Sequence, residues 1–303
     1  MRVFVTGASG YVGGAVAAAL ARGGHEVSGL VRSAAAARRL AAVEVMPVTG
    51  DMSEPDSLRA AARDAEAIVH CAAEWSARFH EFDRLTTGAL LEKAAAGGRE
   101  RLFVYTSGVW LYGDTGGRAV DEASPLAPPE VAAPRVAVEE MVLAANHGRL
   151  RTLVLRPGCL YGGRGGLTAA WFASAVQRGA AQIVGDGGNR WSMVHVDDLA
   201  AAYISAVESP LAGDVLNLSE PSGATVRECA AAASRAAGQN GTVISFSAEE
   251  AAAAFGPMAV PLAFSQVVDS SKAERLLGWR PRHRRFVAEA ARCFAAWQAT
   301  NIA

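Results

Sequence analysis

The residues with the clearest chemical meaning are Thr6-Gly-Ala-Ser-Gly-Tyr-Val-Gly13, with glycines at 7, 10 and 13. A short apolar run, Val3 to Val5, leads into them, and an Ala-rich run, Gly14 to Arg22, follows. Strand, glycine turn and helix in that order make an anion site. The glycines allow a tight turn and close backbone approach, and the helix start offers free N–H groups and the positive end of its dipole. A dinucleotide pyrophosphate suits this spacing, and the second strand that follows, Glu26 to Leu30, strengthens the assignment. At the end of that second strand an NAD-binding chain usually carries Asp or Glu for the ribose 2′-OH. Val31 and then Arg32 stand there instead. A guanidinium forks onto a 2′-phosphate that a carboxylate would repel. NADP(H) is therefore expected in preference to NAD(H).

The elements that must position this turn are readable from the apolar pattern. Apolar runs near 43–48, 66–70, 101–106 and 150–155 read as buried parallel strands, with helices over 55–63, 80–97 and 134–147 between them. Pro134 suits a first helical turn and Gly148 a helix end. Strands alternating with helices predict an α/β fold, a doubly wound parallel sheet of Rossmann type with a smaller mixed C-terminal lobe. After Arg156-Pro157-Gly158 the rhythm breaks into a glycine-rich loop, a helix near 167–178 and a turn at 185–188. Residues 193–217 read as a return to the sheet: a strand, a helix from Asp197, and a strand from Val215 to Leu218. The expected division is a dinucleotide-binding domain of 1–160 with 193–220, and a substrate lobe of 161–192 with 221–303. The Ala runs at 34–37 and 251–254 read as helical, and a final helix is expected near 283–298.

Composition sets the outer limits. With 303 residues and 51% hydrophobic content the chain buries a full core and a smaller lobe. A net charge of −1 gives no basic field for nucleic acid. No apolar run reaches the roughly 18 residues of a membrane span, so no membrane partner is expected. The opening Met-Arg-Val-Phe-Val reads as a core strand with no room for a signal peptide. Cys71, Cys159, Cys229 and Cys293 form no CxxC pair and read as reduced thiols of a cytoplasmic protein, with no zinc site. The Ala, Arg and Gly content suggests a GC-rich bacterial source.

Seven segments in order resemble the extended short-chain dehydrogenase/reductase superfamily of the NAD-dependent epimerase/dehydratase type. They are TGASGYVG at 6–13, GDMSEPDSL at 50–58, HCAA at 70–73, TSGVWLYG at 106–113, RPGCLYG at 156–162, HVDDLA at 195–200 and DSSKAERLLGW at 269–279. The resemblance implies a cofactor held by Gly7, Ser9, Gly10, Tyr11, Val12, Gly13 and Arg32. It adds Asp51 and Met52 by the adenine, Cys71, Ala72 and Ala73 along the pyrophosphate and ribose, and Arg135, Pro157, Gly158 and Cys159. It also implies a small-molecule substrate under the C-terminal lobe. A homodimer is expected through helices 80–97 and 134–147, with Val138, Met141, Val142 and Ala145 as the apolar stripe.

The family's Ser/Thr, Tyr and Lys are where this chain departs. Counting back four from Tyr112, the Ser/Thr place falls on Gly108, beside Ser107; the Lys place falls on Arg135 and the Tyr place on Val131. No Tyr occurs between 113 and 160. Val131 moves no proton, and Arg135 stays charged at any working pH, a donor and electrostatic stabiliser but never a base. Arg135, Glu74 and Ser107 are the catalytic candidates. Glu74 is favoured as the acid, because a carboxylate beside a Trp in a cleft has a raised pKa when desolvated. Substrate contacts are assigned to Glu74, Trp75, Gly108, Trp110, Tyr161 and Trp191. The resulting expectation is an NADPH-dependent reductase of an iminium, a conjugated C=C or a carbonyl. A non-redox isomerase, cyclase or lyase with structural dinucleotide, and a dinucleotide-sensing regulator without turnover, are the alternatives.

Overall fold

The computed structural model describes residues 1–73, 78–96, 98–221 and 223–301. The chain alternates strand and helix through its first half: β1 (Arg2–Thr6), α1 (Tyr11–Arg22), β2 (Glu26–Val31), α2 (Ala34–Ala41), β3 (Met46–Thr49), α3 (Pro55–Ala61), β4 (Ala67–His70), α4 (Phe79–Ala95) and β5 (Arg101–Thr106). The short β6 (Ala119–Val120), α5 (Pro134–Ala144), β7 (Leu150–Pro157) and β8 (Cys159–Tyr161) come next. Then follow α6 (Ala169–Arg178), β9 (Ala181–Val184), β10 (Met193–His195), α7 (Val196–Glu208) and β11 (Asp214–Leu218). The remainder is α8 (Val226–Ala236), β12 (Val243–Phe246), α9 (Ala248–Phe255), α10 (Ala259–Leu262), β13 (Val267–Val268), α11 (Ser271–Leu277) and α12 (Phe286–Asn301).

Seven of these strands form a parallel sheet in the order β11-β7-β5-β4-β1-β2-β3. Helices cover both faces, which is why β4 and most of β5 and β7 read as unbroken apolar runs. One face packs Val16 and Leu20 of α1, Leu40 of α2 and Leu199 and Tyr203 of α7. The other packs Leu58 of α3, Leu90 and Ala94 of α4, and Val138 and Val142 of α5. The strand order reverses direction between β1 and β4, and the crevice at the carboxyl ends of the strands beside such a point is where open α/β sheets bind ligands.

The second lobe has its own core, built from Trp171, Phe172, Val226, Ala230, Phe286, Cys293 and Trp297. Here the sequence reading needs correction. Of the elements read as returning to the sheet, only Asp214–Leu218 joins it; Met193–His195 instead pairs with Cys159–Tyr161 in a separate two-stranded ladder. In α5, Val138 and Val142 are buried against the sheet, with Met141 and Ala145 partly buried on the same core. Among the described residues no helix is long and apolar enough to cross a membrane.

Candidate active site

The glycine turn has the geometry that its sequence calls for. Gly7 has φ +69°, and a Cβ there would lie 2.7 Å from Ala72 Cα. A Cβ on Gly13 would overlap the Gly7 carbonyl. The turn closes by a 2.8 Å bond from the Gly10 N–H to the Gly7 carbonyl. Gly10 then caps α1 without any side-chain bond, leaving the helix-start N–H groups for an anion. Only a side-chain-free turn passes this close to the neighbouring backbone, and that cradle fits a dinucleotide pyrophosphate. Ala72 and Ala73 follow Cys71 just past the end of β4, the Ala72 N–H donating to Thr6 Oγ1 at 3.3 Å.

The second lobe reaches over this turn. Arg164 Nη2 donates to the Ser9 and Gly10 carbonyls at 3.1 and 2.8 Å, and the Tyr11 hydroxyl donates to the Gly162 carbonyl at 2.6 Å. Tyr11 thus acts through its side chain as a tie between lobes. A cavity of about 330 Å³ opens beside the turn, lined by Ser9, Gly10, Arg39, Arg164 and Asp197 among others. Farther along the strand ends, Arg32 is exposed directly after β2. Asp51 Oδ1 accepts from the Ser53 N–H and hydroxyl at 2.8 and 2.7 Å. Those bonds, with a smaller contribution from the Arg32 charge, hold its carboxyl below the usual range. The Met52 carbonyl accepts from Thr86.

Arg135 sits in the first turn of α5, its Nη1 donating to the Thr106 carbonyl at 3.3 Å and its Cζ 5.1 Å from the Phe79 ring centroid. Thr106 ends β5, and its hydroxyl lies 3.2 Å from Cys71 Sγ and 2.5 Å from the Tyr203 hydroxyl. Burial pushes the Cys71 thiol up to about 11, which makes it a neutral lining group and no nucleophile. Ser107 is buried and its hydroxyl has no partner among the described residues. Gly108 follows in extended backbone and opens a short 3-10 turn. Glu74 and Trp75 lie outside the described residues.

Beneath Arg135 is a buried polar chain that sequence reasoning missed. The Thr6 hydroxyl lies 2.6 Å from His70 Nδ1, His70 Nε2 is 3.3 Å from Asp83 Oδ1, and the Tyr105 hydroxyl donates to Asp83 Oδ2 at 2.7 Å. Burial acts to raise the Asp83 pKa, but the His70 contact and the His70 and Arg135 charges, together with Tyr105, outweigh it and hold the carboxyl below the ordinary range. The only sequence signal was Asp83 itself, an acid within a helix whose neighbours Phe82, Thr86 and Leu90 turn inward.

Other sequence candidates do different work. Pro157 ends β7 and Gly158 donates to the Leu218 carbonyl at 2.9 Å. Burial pushes the Cys159 thiol up to about 12, against an opposing bond from Trp110, which is half-buried against the second core. Tyr161 and Trp191, expected at the substrate, are buried core residues with their polar atoms engaged. Tyr161 donates to Glu220 Oε2 at 2.6 Å; Trp191 stacks on Trp171 and donates to the Leu262 carbonyl. Two groupings also converge that were not expected: His195 with Glu289 and Cys293, and His195 with Asp197 and His283, with donor atoms within 4.8 Å. Arg292 already lies 2.6 Å from Glu289, and a guanidinium on that carboxylate competes with any added cation.

Strand order, glycine cradle and crevice together define a doubly wound dinucleotide-binding fold. The chain belongs to the NAD dependent epimerase/dehydratase family, whose sequence model matches residues 3–219. It is 30% identical to an uncharacterized protein of Schizosaccharomyces pombe over 93% of this chain and 96% of that one. It is 31% identical to a 4-hydroxy-2-methyl-3-oxo-4-farnesyl-3,4-dihydroquinoline-1-oxide ketoreductase of Stigmatella aurantiaca, over 73% and 68% of the two chains. Among solved structures it is similar to a Thermus thermophilus UDP-glucose 4-epimerase in complex with NAD, with a TM-score of 0.82, 25% identity, and 99% and 100% of the chains covered. A human epimerase family protein with NADPH gives 0.81 at 24% identity over 97% and 99%.

Proposed function

We propose that this protein is an NADP(H)-dependent reductase of a small-molecule metabolite, acting at a carbonyl, an iminium or a conjugated C=C, with Arg135 stabilising the charge that develops on the acceptor. The observation that carries the reading is the position of Arg135. Its guanidinium is held between the Thr106 carbonyl, at the carboxyl end of β5, and the Phe79 ring. Relatives named as reductases support the redox class. Besides the quinoline-oxide ketoreductase they include a 2-alkyl-3-oxoalkanoate reductase of Stenotrophomonas maltophilia, 29% identical over 69% of this chain.

Gly7, Ser9, Gly10 and Gly13 would hold the pyrophosphate, Ala72 and Ala73 its flank, and Arg32 the 2′-phosphate. A reduced nicotinamide dinucleotide, when bound, supplies a hydride. The chain's own part is to orient the acceptor, shield it from water and manage charge. An arginine does the last without a proton: it stays cationic and donates two hydrogen bonds in a fixed fork to an oxyanion or enolate. Such preorganised stabilisation is worth about 10²–10³-fold in rate.

The test uses the loss of near-ultraviolet absorbance of NADPH or NADH on adding ethyl 2-methylacetoacetate, cyclohexenone or a cyclic imine. Consumption of NADPH in preference to NADH is the expected result. Product formed with the reduced dinucleotide unconsumed would instead establish a non-redox enzyme, and binding with no turnover of any probe a sensor.

A further inference from the structure

We propose that His80 is the group that delivers the proton in this reaction, replacing the tyrosine that Val131 cannot supply. The proposal rests on the reductase reading above. His80 lies in the first turn of α4, three residues before Asp83, so the two side chains share a helix face, one turn apart. Asp83 points into the sheet at His70 and Tyr105; His80, half-buried, lies one turn nearer the helix start, the end of α4 where Phe79 meets Arg135. Its ring meets Phe79 edge-on at 4.8 Å, and the same Phe79 ring carries the Arg135 guanidinium at 5.1 Å. His80 Nδ1 is buried and has no hydrogen-bond partner among the described residues. A buried imidazole nitrogen without a partner is costly in a folded protein and calls for an explanation such as a ligand or catalytic role. The ring shares Phe79 with the fixed Arg135 cation and stands one helical turn from Asp83.

The step balances. The carbonyl carbon receives a hydride, two electrons and one proton, from the reduced nicotinamide dinucleotide, and the C=O π pair moves onto oxygen. Arg135 holds that oxygen while the imidazolium proton of His80 passes to it. The products are an alcohol, the oxidised dinucleotide and neutral His80. In the opposite direction neutral His80 accepts the alcohol proton.

Three influences set the ionisation of His80. Burial lowers its pKa below the ordinary histidine value, the Arg135 charge on α5 lowers it further, and Asp83 on its own helix raises it. Reduction needs the protonated form. Its kcat/KM should therefore fall as pH rises through a value below the ordinary histidine pKa, and oxidation should rise over the same range. Removing the Arg135 charge makes the imidazolium easier to keep, so the limb must move to higher pH.

The experiment combines kinetics with a readout that needs no turnover. NADPH-dependent reduction of ethyl 2-methylacetoacetate is measured against pH for the parent, His80→Asn, His80→Phe, Arg135→Gln and Glu74→Gln. Dissociation constants for NADPH are measured in parallel, and the His80 ring is titrated by NMR. General acid catalysis is worth about 10²–10⁴-fold, so both His80 variants should lose kcat/KM on that scale while keeping NADPH affinity and thermal stability. The pH limb of the parent should coincide with the His80 titration, and both should move up together in Arg135→Gln. His80 variants that retain activity, or a collapse confined to Glu74→Gln, would overturn the proposal. If no probe is reduced, the reductase reading fails on its own, and the titration still decides the present one: a His80 ring unmoved by Arg135→Gln and by saturating NADP overturns it.

Discussion

Arg135 shows how much a single substitution changes at this site. A lysine can share or lose a proton and an arginine cannot, so in the proposed reaction the charge at this position is permanent and the proton is assigned to another group. Arg32 is the second decisive residue. It is exposed just past the end of β2, near Asp51, whose carboxyl is engaged by Ser53, and is the residue proposed to take a 2′-phosphate. Arg32→Ala should weaken NADPH by about 10- to 100-fold, the worth of a charge-assisted hydrogen bond at about 1.5–3 kcal/mol, and leave NADH nearly unchanged. Titration of both dinucleotides by Trp fluorescence checks this. An unchanged NADPH-to-NADH ratio would remove Arg32 from the site.

Among the elements, the most legible from sequence were those with a strong period. The strands of the parallel sheet, covered on both faces, leave unbroken apolar runs, and α4 and α5 came within two and three residues of their observed ends. The ladder of Ala181–Val184 with Val243–Phe246 was not legible, because two four-residue strands far apart in sequence, the second of them half-exposed, leave no period to read. Tyr161 and Trp191 fail for a related reason. Their types suit a ligand pocket as well as a core, and only the fold settles which way they face. His70 and Asp83 were invisible because a buried pair is a property of two elements together. One tie between elements yields a direct prediction. Arg156 of β7 meets Glu139 of α5 through bonds of 3.0 and 2.5 Å, both residues buried, and also donates to Tyr112. Glu139→Ala would leave a buried guanidinium without its carboxylate, a loss of about 3–5 kcal/mol, read as a lower urea midpoint. A loss under about 1 kcal/mol would show that water reaches the pair.

At the scale of the whole molecule, the two lobes meet through a titratable seam. His195, which caps α7 through its Nδ1, stacks on His283 at 3.7 Å. His283 lies 2.6 Å from Glu289, and Tyr161 joins Glu220 beside them. Burial chiefly, with the charges of Glu289 and Asp198, raises Glu220 to about 7, while Tyr161 and the Phe286 N–H oppose the rise. The sign follows from linkage. Between about 4.5, the unfolded value, and about 7 the unfolded chain loses this proton while the folded chain keeps it, so stability falls as pH rises across that window and then levels. His195, its pKa lowered first by burial and then by His283, acts oppositely, adding stability as pH rises toward the ordinary histidine value. Glu220→Gln isolates the first effect: its melting temperature should exceed the parent's above pH 7, by up to about 3 kcal/mol in stability, with the advantage gone near pH 4.5. A difference independent of pH would show that the carboxyl is ionised in the folded protein.

The central claim is that a fixed cation at the strand ends, and no tyrosine, stabilises the reacting oxygen. Its most direct measurement is single-turnover hydride transfer from NADPH to the probe that turns over fastest, in the parent, Arg135→Lys and Arg135→Ala, with NADPH saturating. The account predicts a loss of about 10²-fold or more in Arg135→Ala and only partial recovery in Arg135→Lys, because an ammonium cannot reproduce the guanidinium fork. Transfer at the parental rate in Arg135→Ala would contradict it.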